Sequence, residues 1–259
     1  NLRCEYCMPE ENFSWLPQAQ ILNLEELADV AATFLDLGVE RIRLTGGEPL
    51  LRRDLHILVK RLAHLPGLKD LAMTTNGLLL YRQAQELKDA GLKRLTFSLD
   101  TLDRQRFARL TKRDRLDEVL RGIQISKDVG FKNSKVNVVV QKGFNDFEIP
   151  SLIRFGQEQG LEIRFIEYMD VGGATQWSLD RVMSRDEILA AVAAEHGNIE
   201  EVPRTDSAPA DRFQLADGTI FGVIASTTQP FCSSCDRSRV TADGHWFHCL
   251  YARTGFDLR

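Results

Sequence analysis

Between residues 23 and 38 apolar side chains recur at Leu27, Val30, Ala31, Phe34 and Leu35. That three-to-four spacing puts them on one face of a helix. Asn23 with Glu26 three residues on reads as a capping box, and Gly38 closes the segment. The period then drops to two in Arg41-Ile42-Arg43-Leu44-Thr45, a short strand stopped by Gly46-Gly47-Glu48-Pro49. The same alternation of periods continues. It predicts a helix over 54–64, a strand at 71–74 ended by Asn76-Gly77, and a helix over 82–90 ended by Gly91. A strand follows at 94–98, with helices from Arg104 and from Leu116, then a strand at 136–140. A helix over 147–159, a strand at 162–167 and a helix over 184–195 complete the series. Strands and helices in strict alternation imply parallel strands with helices outside, as a barrel or an open sheet.

After Gly197 the pattern changes to short alternating segments, such as 212–215 and 220–223, which predict small strands. The chain therefore divides into an α/β domain over 1–196 and a smaller α+β region over 197–259. In the larger part polar residues gather after the strands: Gly46-Gly47-Glu48, Thr74-Thr75-Asn76, Ser98 with Asp100, and Glu167 to Met169. In a barrel such positions converge on the C-terminal rim, where active sites form.

Composition narrows the function classes. At 259 residues, 43% hydrophobic and 27% charged, the chain has the make-up of an ordinary globular protein with a large core. No run of about 18 apolar residues predicts a membrane span. A net charge of −4 argues against bulk nucleic-acid binding, so any anion must meet a local basic cluster.

All five cysteines fall into two groups. Cys4 and Cys7 have the spacing of the last two cysteines of a C-x3-C-x2-C iron–sulfur loop, whose first would stand one residue before Asn1. Three cysteines on a four-iron cluster leave one iron open to a small molecule. Cys232, Cys235 and Cys249 follow as C-x2-C-x13-C, and here Cys3His zinc is an equally good reading because His245 and His248 are close by. An odd count with two C-x2-C pairs does not suit a secreted disulfide framework, which points to a reducing compartment. The expected location is cytoplasmic, or mitochondrial in a eukaryote.

The Gly46-Gly47-Glu48-Pro49 turn lets backbone approach a ligand closely, for instance the ammonium end of an amino acid. Arg237 and Arg239, just after Cys235, could form a positive patch with Arg41, Arg43 and Lys135. Arginine's planar fork suits phosphate oxygens.

Together the Cys4-Glu5-Tyr6-Cys7 loop and the Gly46-Gly47-Glu48-Pro49 turn resemble the radical S-adenosylmethionine (SAM) superfamily. The segment Phe231-Cys-Ser-Ser-Cys-Asp-Arg-Ser-Arg with Cys249 downstream is similar to the GTP 3′,8-cyclases of molybdenum cofactor biosynthesis. So are Arg41 to Asp54, Thr74 to Leu80, Lys135 to Val139 and Arg164 to Glu167, and the likeness covers nearly the whole chain. It implies an incomplete parallel (βα)6-type barrel followed by an α+β region with a second cluster. The expected first strand and first cysteine lie before Asn1.

By the same resemblance, Cys4 and Cys7 would hold one [4Fe-4S] cluster and Cys232, Cys235 and Cys249 a second that binds guanine. Tyr6, Gly47, Ser98 and Met169 would contact SAM, Tyr6 chiefly through its backbone. Arg43, Thr74, Lys135, Arg237, Ser238 and Arg239 would contact GTP. Arg41 is a weaker candidate, and Arg52 and Arg53 are expected at structural or surface positions. The implied activity is that of a radical SAM lyase, forming 3′,8-cyclo-7,8-dihydroguanosine 5′-triphosphate by way of a 5′-deoxyadenosyl radical. No acid–base residue is expected. The implied partners are a flavodoxin-like electron donor, the downstream cyclic pyranopterin monophosphate synthase and a second copy in a homodimer. A peptide-modifying radical SAM enzyme and a zinc-binding module stand as alternatives. Asp236 departs from the uncharged residue common in the family, and Asp100 stays outside the predicted site.

Overall fold

The computed structural model describes residues 1–7, 15–170, 177–204 and 207–259. The chain forms two compact units, each assembled from separated stretches. The first contains Asn1–Pro9, Ser98–Leu116 and Lys135–Asp236, and the second Glu10–Phe97, Asp117–Ser134 and Arg237–Arg259.

The second unit begins with α1 (Leu24–Asp36). Its capping box is reciprocal: Glu26 N–H donates to Asn23 Oδ1 at 2.8 Å and Asn23 N–H to Glu26 Oε2 at 2.7 Å. Three parallel strands follow in sheet order, β1 (Arg41–Leu44), β2 (Asp70–Thr75) and β3 (Arg94–Ser98). Between them run α2 (Leu55–Ala63) and α3 (Leu80–Asp89). Leu58, Val59 and Leu62 of α2 and Leu80, Ala84 and Leu87 of α3 are buried, as are Leu71 and Met73 of β2. Each large aliphatic removed from water in this way contributes about 1.5–3 kcal/mol. Thr74 and Thr75 belong to β2 itself, where the periodicity places the polar residues after the strand.

Helices α4 (Arg104–Thr111), in the first unit, and α5 (Leu116–Asp128) follow β3. The first unit then pairs β4 (Lys135–Val140) and β5 (Glu162–Glu167) in parallel, with α6 (Ile149–Gln159) between them in sequence. Gly156 lets α6 lie close: a Cβ there would come 2.6 Å from Ile163 Cγ1. Helix α7 (Arg185–His196) leads to β6 (Ile199–Val202), β7 (Asp211–Leu215) and β8 (Ile220–Ile224). Strand β8 pairs in parallel with β5, while β7 and β6 continue outward antiparallel, giving the order β4-β5-β8-β7-β6.

The last strands, β9 (Arg239–Val240), β10 (His245–Phe247) and β11 (Phe256–Asp257), form a small antiparallel sheet in the second unit. Trp246 of β10 meets Phe34 of α1 edge-on at 5.2 Å, and Leu22 N–H donates to Ala242 O at 2.8 Å. Among the described residues no helix is long and apolar enough to cross a membrane.

Candidate active site

In β4 the residues Val136, Val138 and Val140 are buried, while Lys135, Asn137 and Val139 are half-buried on the other face. In β5, half-buried Glu162 and buried Arg164 share the face that pairs with Lys135 and Asn137. A polar strand face therefore coexists with an apolar one packed under helices. Lys135 Nζ lies 3.5 Å from Glu162 Oε1, and Arg164 Nε donates to the same oxygen at 2.6 Å. Arg212 reaches Glu162 Oε2 at 3.3 Å. Burial raises the Glu162 carboxyl, but Arg164, Lys135 and Arg212 outweigh it and hold the group below the usual carboxylate range. Arg164 escaped sequence reasoning, although its place in an alternating strand with Glu162 was a usable signal.

Met169, two residues after β5 and half-buried, stands at the other end of these strands, whereas exposed Ser98, which ends β3, lies beside the middle of β4, Leu99 N–H donating to Asn137 O at 3.1 Å. Lys135 opens β4, so it and the strand ends are separated by roughly 17 Å at about 3.3 Å per residue. Lys135 and Met169 thus occupy opposite ends of the paired strands β4 and β5.

The cysteine turn of the first unit is laid along the end of α4. Arg3 N–H donates to Thr111 O at 2.9 Å and Glu5 N–H to Leu110 O at 3.2 Å, while Lys112 pairs with the Glu5 carboxylate. Cys7 N–H donates to Cys4 O at 3.0 Å, which closes the turn. Burial, then the neighbouring Asp100 charge, push the Cys4 thiol up to about 12. The same causes raise Cys7.

Tyr6 departs from expectation, because its side chain is engaged. Its hydroxyl donates to Asp100 Oδ2 at 2.7 Å, and its ring meets Tyr168 edge-on at 6.5 Å. Asp100, left out of the predicted site, is buried, accepts Val139 N–H at Oδ1 (2.8 Å), and takes Asn145 Nδ2 on its backbone carbonyl (2.7 Å). Burial pushes its carboxyl up to about 6, against the lowering effect of the Tyr6 and Val139 hydrogen bonds. The available signal was a carboxylate two residues beyond Ser98 at a strand end, which needs a donor once buried.

In the second unit, Gly46 has φ of 144° and leads into Gly47 and Glu48. A Cβ at either glycine would meet nothing within 4 Å, so the turn presents open backbone. Glu48 anchors it, accepting from Leu50 N–H (3.1 Å), the Thr75 hydroxyl (2.7 Å) and Asn76 N–H (2.8 Å). Burial raises the Glu48 carboxyl, partly offset by these donors. Arg43 Nη1 donates at 3.1 Å to both Thr74 Oγ1 and Thr96 Oγ1, which joins two predicted GTP contacts and adds Thr96.

Arg237 is half-buried, whereas Ser238 and Arg239 are exposed, Arg239 opening β9. Asp236 accepts a hydrogen bond from the Ser207 hydroxyl. Cys232 and Cys235, in the first unit, are exposed on a turn closed by Cys235 N–H donating to Cys232 O at 3.3 Å. Cys249, in the second unit, accepts Tyr251 N–H at 3.4 Å on its sulfur. His245 lies in β10 and His248 directly follows it.

Both C-x2-C segments close with the same backbone bond, which sets two sulfurs on one turn. Soft thiolate pairs on such turns fit iron–sulfur ligation, and metal binding displaces their protons. Among the described residues no group of three or more His, Cys, Asp or Glu side chains is placed to hold a metal ion.

The parallel strands with an engaged Cys-x2-Cys turn and an open glycine turn define a radical SAM fold. Residues 1–156 match the Radical SAM superfamily and residues 161–259 the Molybdenum Cofactor Synthesis C family. Streptococcus suis SuiB bound to precursor peptide SuiA superposes with a TM-score of 0.72 at 16% identity, over 99% of this chain and 59% of that one. Native anSMEcpe with bound AdoMet gives a TM-score of 0.56 at 17% identity, over 76% and 57%. Sequence relatives are nearer. GTP 3′,8-cyclase 3 of Mycobacterium bovis is 51% identical over 100% of this chain and 70% of its own length. The GTP 3′,8-cyclase of Aquifex aeolicus is 45% identical over 100% and 81%. The chain belongs to the GTP 3′,8-cyclase family of the radical SAM superfamily.

Proposed function

We propose that this chain carries the catalytic site of a GTP 3′,8-cyclase in molybdenum cofactor biosynthesis, with a radical SAM domain over 1–196 and an auxiliary-cluster region over 197–259. The observation that carries the reading is the separation of Lys135 from Met169 along the paired strands β4 and β5. Cationic Lys135 opens β4, and Met169 lies two residues beyond the end of β5. GTP is long enough to use such a separation, with its triphosphate at one end and its ribose toward the other.

Cys4 and Cys7 would hold the first [4Fe-4S] cluster, and Cys232, Cys235 and Cys249 the auxiliary one. The bound clusters and SAM supply the one-electron chemistry that removes hydrogen from C3′ of GTP and lets that carbon join C8. The protein's part is position and shielding. Gly47 offers open backbone to the amino-acid end of SAM. Tyr6, Ser98 and Met169 fix its nucleoside. Arg43, held by Thr74 and Thr96, would offer its guanidinium to phosphate, and Lys135, Arg237, Ser238 and Arg239 are the further residues that would contact GTP. A flavodoxin-like protein is the fitting electron donor, a homodimer the fitting assembly, and a cyclic pyranopterin monophosphate synthase the fitting consumer of the product.

The test uses the full-length protein, reconstituted anaerobically and given SAM, reductant and GTP deuterated at C3′. Deuterium in the 5′-deoxyadenosine formed is the expected result. Unlabelled 5′-deoxyadenosine produced regardless of GTP would refute GTP as the substrate.

A further inference from the structure

The C-terminal end of β5 carries a carboxylate that the proposed chemistry does not use. Glu167 is fully buried (0% exposed) and saturated with donors. Its Oε1 accepts Arg185 N–H at 2.8 Å and the Thr228 hydroxyl at 2.5 Å. Its Oε2 accepts Thr227 N–H at 2.8 Å and Thr228 N–H at 2.7 Å. A buried carboxylate is costly unless so bonded. Arg185 is the first residue of α7, where the positive end of the helix dipole adds to the match.

Three of the four donors come from Thr227 and Thr228, just beyond β8. The Thr227 hydroxyl adds a bond to Tyr168 O at 3.1 Å. This stretch leads directly to Cys232, four residues after Thr228, and then to Cys235. A tether that short limits Cys232 to within about 14 Å of the anchor. The adjacent Tyr168 meets the ring of Tyr6, which stands between Cys4 and Cys7. Consecutive residues at one strand end thus pack against the first cysteine turn and hold the approach to the second.

We propose that Glu167 is a positioning residue for the second cysteine turn, setting Cys232 and Cys235 in register with the strand end that carries Met169. This rests on the reading of Cys232 and Cys235 as auxiliary-cluster ligands. Glu167→Gln is the sharpest probe, since its amide turns a donor toward N–H groups that need an acceptor. Thr228→Val is the milder variant: it deletes one hydroxyl bond and keeps the backbone donor, so it serves if Glu167→Gln does not fold.

Two readouts are made on the full-length protein. In the cluster-free state, amide exchange across 225–235 should rise about tenfold or more at Thr227 and Thr228. After reconstitution, the GTP Kd should rise about tenfold and the auxiliary-cluster electron paramagnetic resonance (EPR) signal should shift, while SAM affinity and GTP-independent SAM cleavage hold. Wild-type exchange and wild-type GTP affinity in either folded variant would overturn the proposal. Cys235→Ser separates the two layers. If it keeps full iron content and GTP affinity, the cluster reading falls, and the exchange result still decides whether Glu167 anchors the turn.

Discussion

Removing one oxygen from Tyr6 tests whether the cysteine turn is held by its side chain. In Tyr6→Phe the ring stays to meet Tyr168, but Asp100 Oδ2 loses the 2.7 Å hydroxyl donor. Asp100 is 7% exposed, so water reaches that oxygen poorly. Hydrogen bonds to charged groups are worth about 1.5–3 kcal/mol, and leaving a buried acceptor unmatched falls in the same range. Tyr6 itself is only half-buried, which lets some water replace the hydroxyl, so a loss of about 1–2 kcal/mol is expected. For a chain of this size that lowers Tm by about 2–8 °C. The assay is urea unfolding of the cluster-free protein for the wild type, Tyr6→Phe, Asp100→Asn and the double variant. In Asp100→Asn the amide oxygen can keep Val139 N–H while Nδ2–H donates to the Tyr6 oxygen, so the change removes the charge-assisted part of the contact and the cycle should show coupling of about 1 kcal/mol or less. Additive effects, with Tyr6→Phe within about 0.3 kcal/mol of wild type, would refute the anchoring role.

Gly122→Ala should cost about 2–4 kcal/mol, because a Cβ there would sit 2.3 Å from the backbone oxygen of Gly77. A denaturation midpoint equal to wild type would contradict that close approach. Glu187 is held down at about 2 by the Lys142 hydrogen bond first and by Ser184 next. Its contribution is therefore present above about pH 4.5 and fades as pH falls toward 2. The stability gap between wild type and Glu187→Gln should be at most about 1 kcal/mol after solvent screening and should shrink through that window. A gap that stays constant from pH 6 to 3 would count against it. Arg43→Met should weaken GTP binding about tenfold or more with SAM affinity unchanged, as read by titration calorimetry. Equal GTP affinities would remove Arg43 from the phosphate site.

The parts legible in the sequence are those fixed by local periodicity and capping. The Asn23–Glu26 box forms as read, and the strands at 94–98 and 162–167 carry the predicted bounds. The cysteine groups and the Gly46-Gly47 turn stand out in the sequence because their spacing is a local constraint as well, whereas Ser98, Met169, Thr74 and Lys135 were named by the family resemblance. Asp100, Thr96 and Glu167 were not, because their roles depend on partners 94, 53 and up to 61 residues away. A buried carboxylate is recognised only when its donors are known, and most of those donors are backbone N–H groups that look alike in any sequence. Even so, each of the three lies in or directly after a strand. Polar residues in those positions on an otherwise apolar strand are therefore worth pairing with distant loops before being set aside.

In β4 the lysine at the first position and the backbone N–H of Val139 near the last, bonded to Asp100, belong to one rigid element. The span between the ends is set by strand rise, not by loop conformation. Loops then decide only what sits at each end. At the far end, Asp100 and Tyr168 grip Tyr6 while Glu167 grips Thr227 and Thr228, so both cysteine turns of the first unit take their positions from the same strand ends. A radical reaction that depends on holding C3′ near its abstractor needs distances fixed on that scale. An insertion of one residue within β4 would move Lys135 by about 3.3 Å and turn its side chain to the opposite face. It should therefore abolish GTP binding while leaving the Tyr6–Asp100 contact in place.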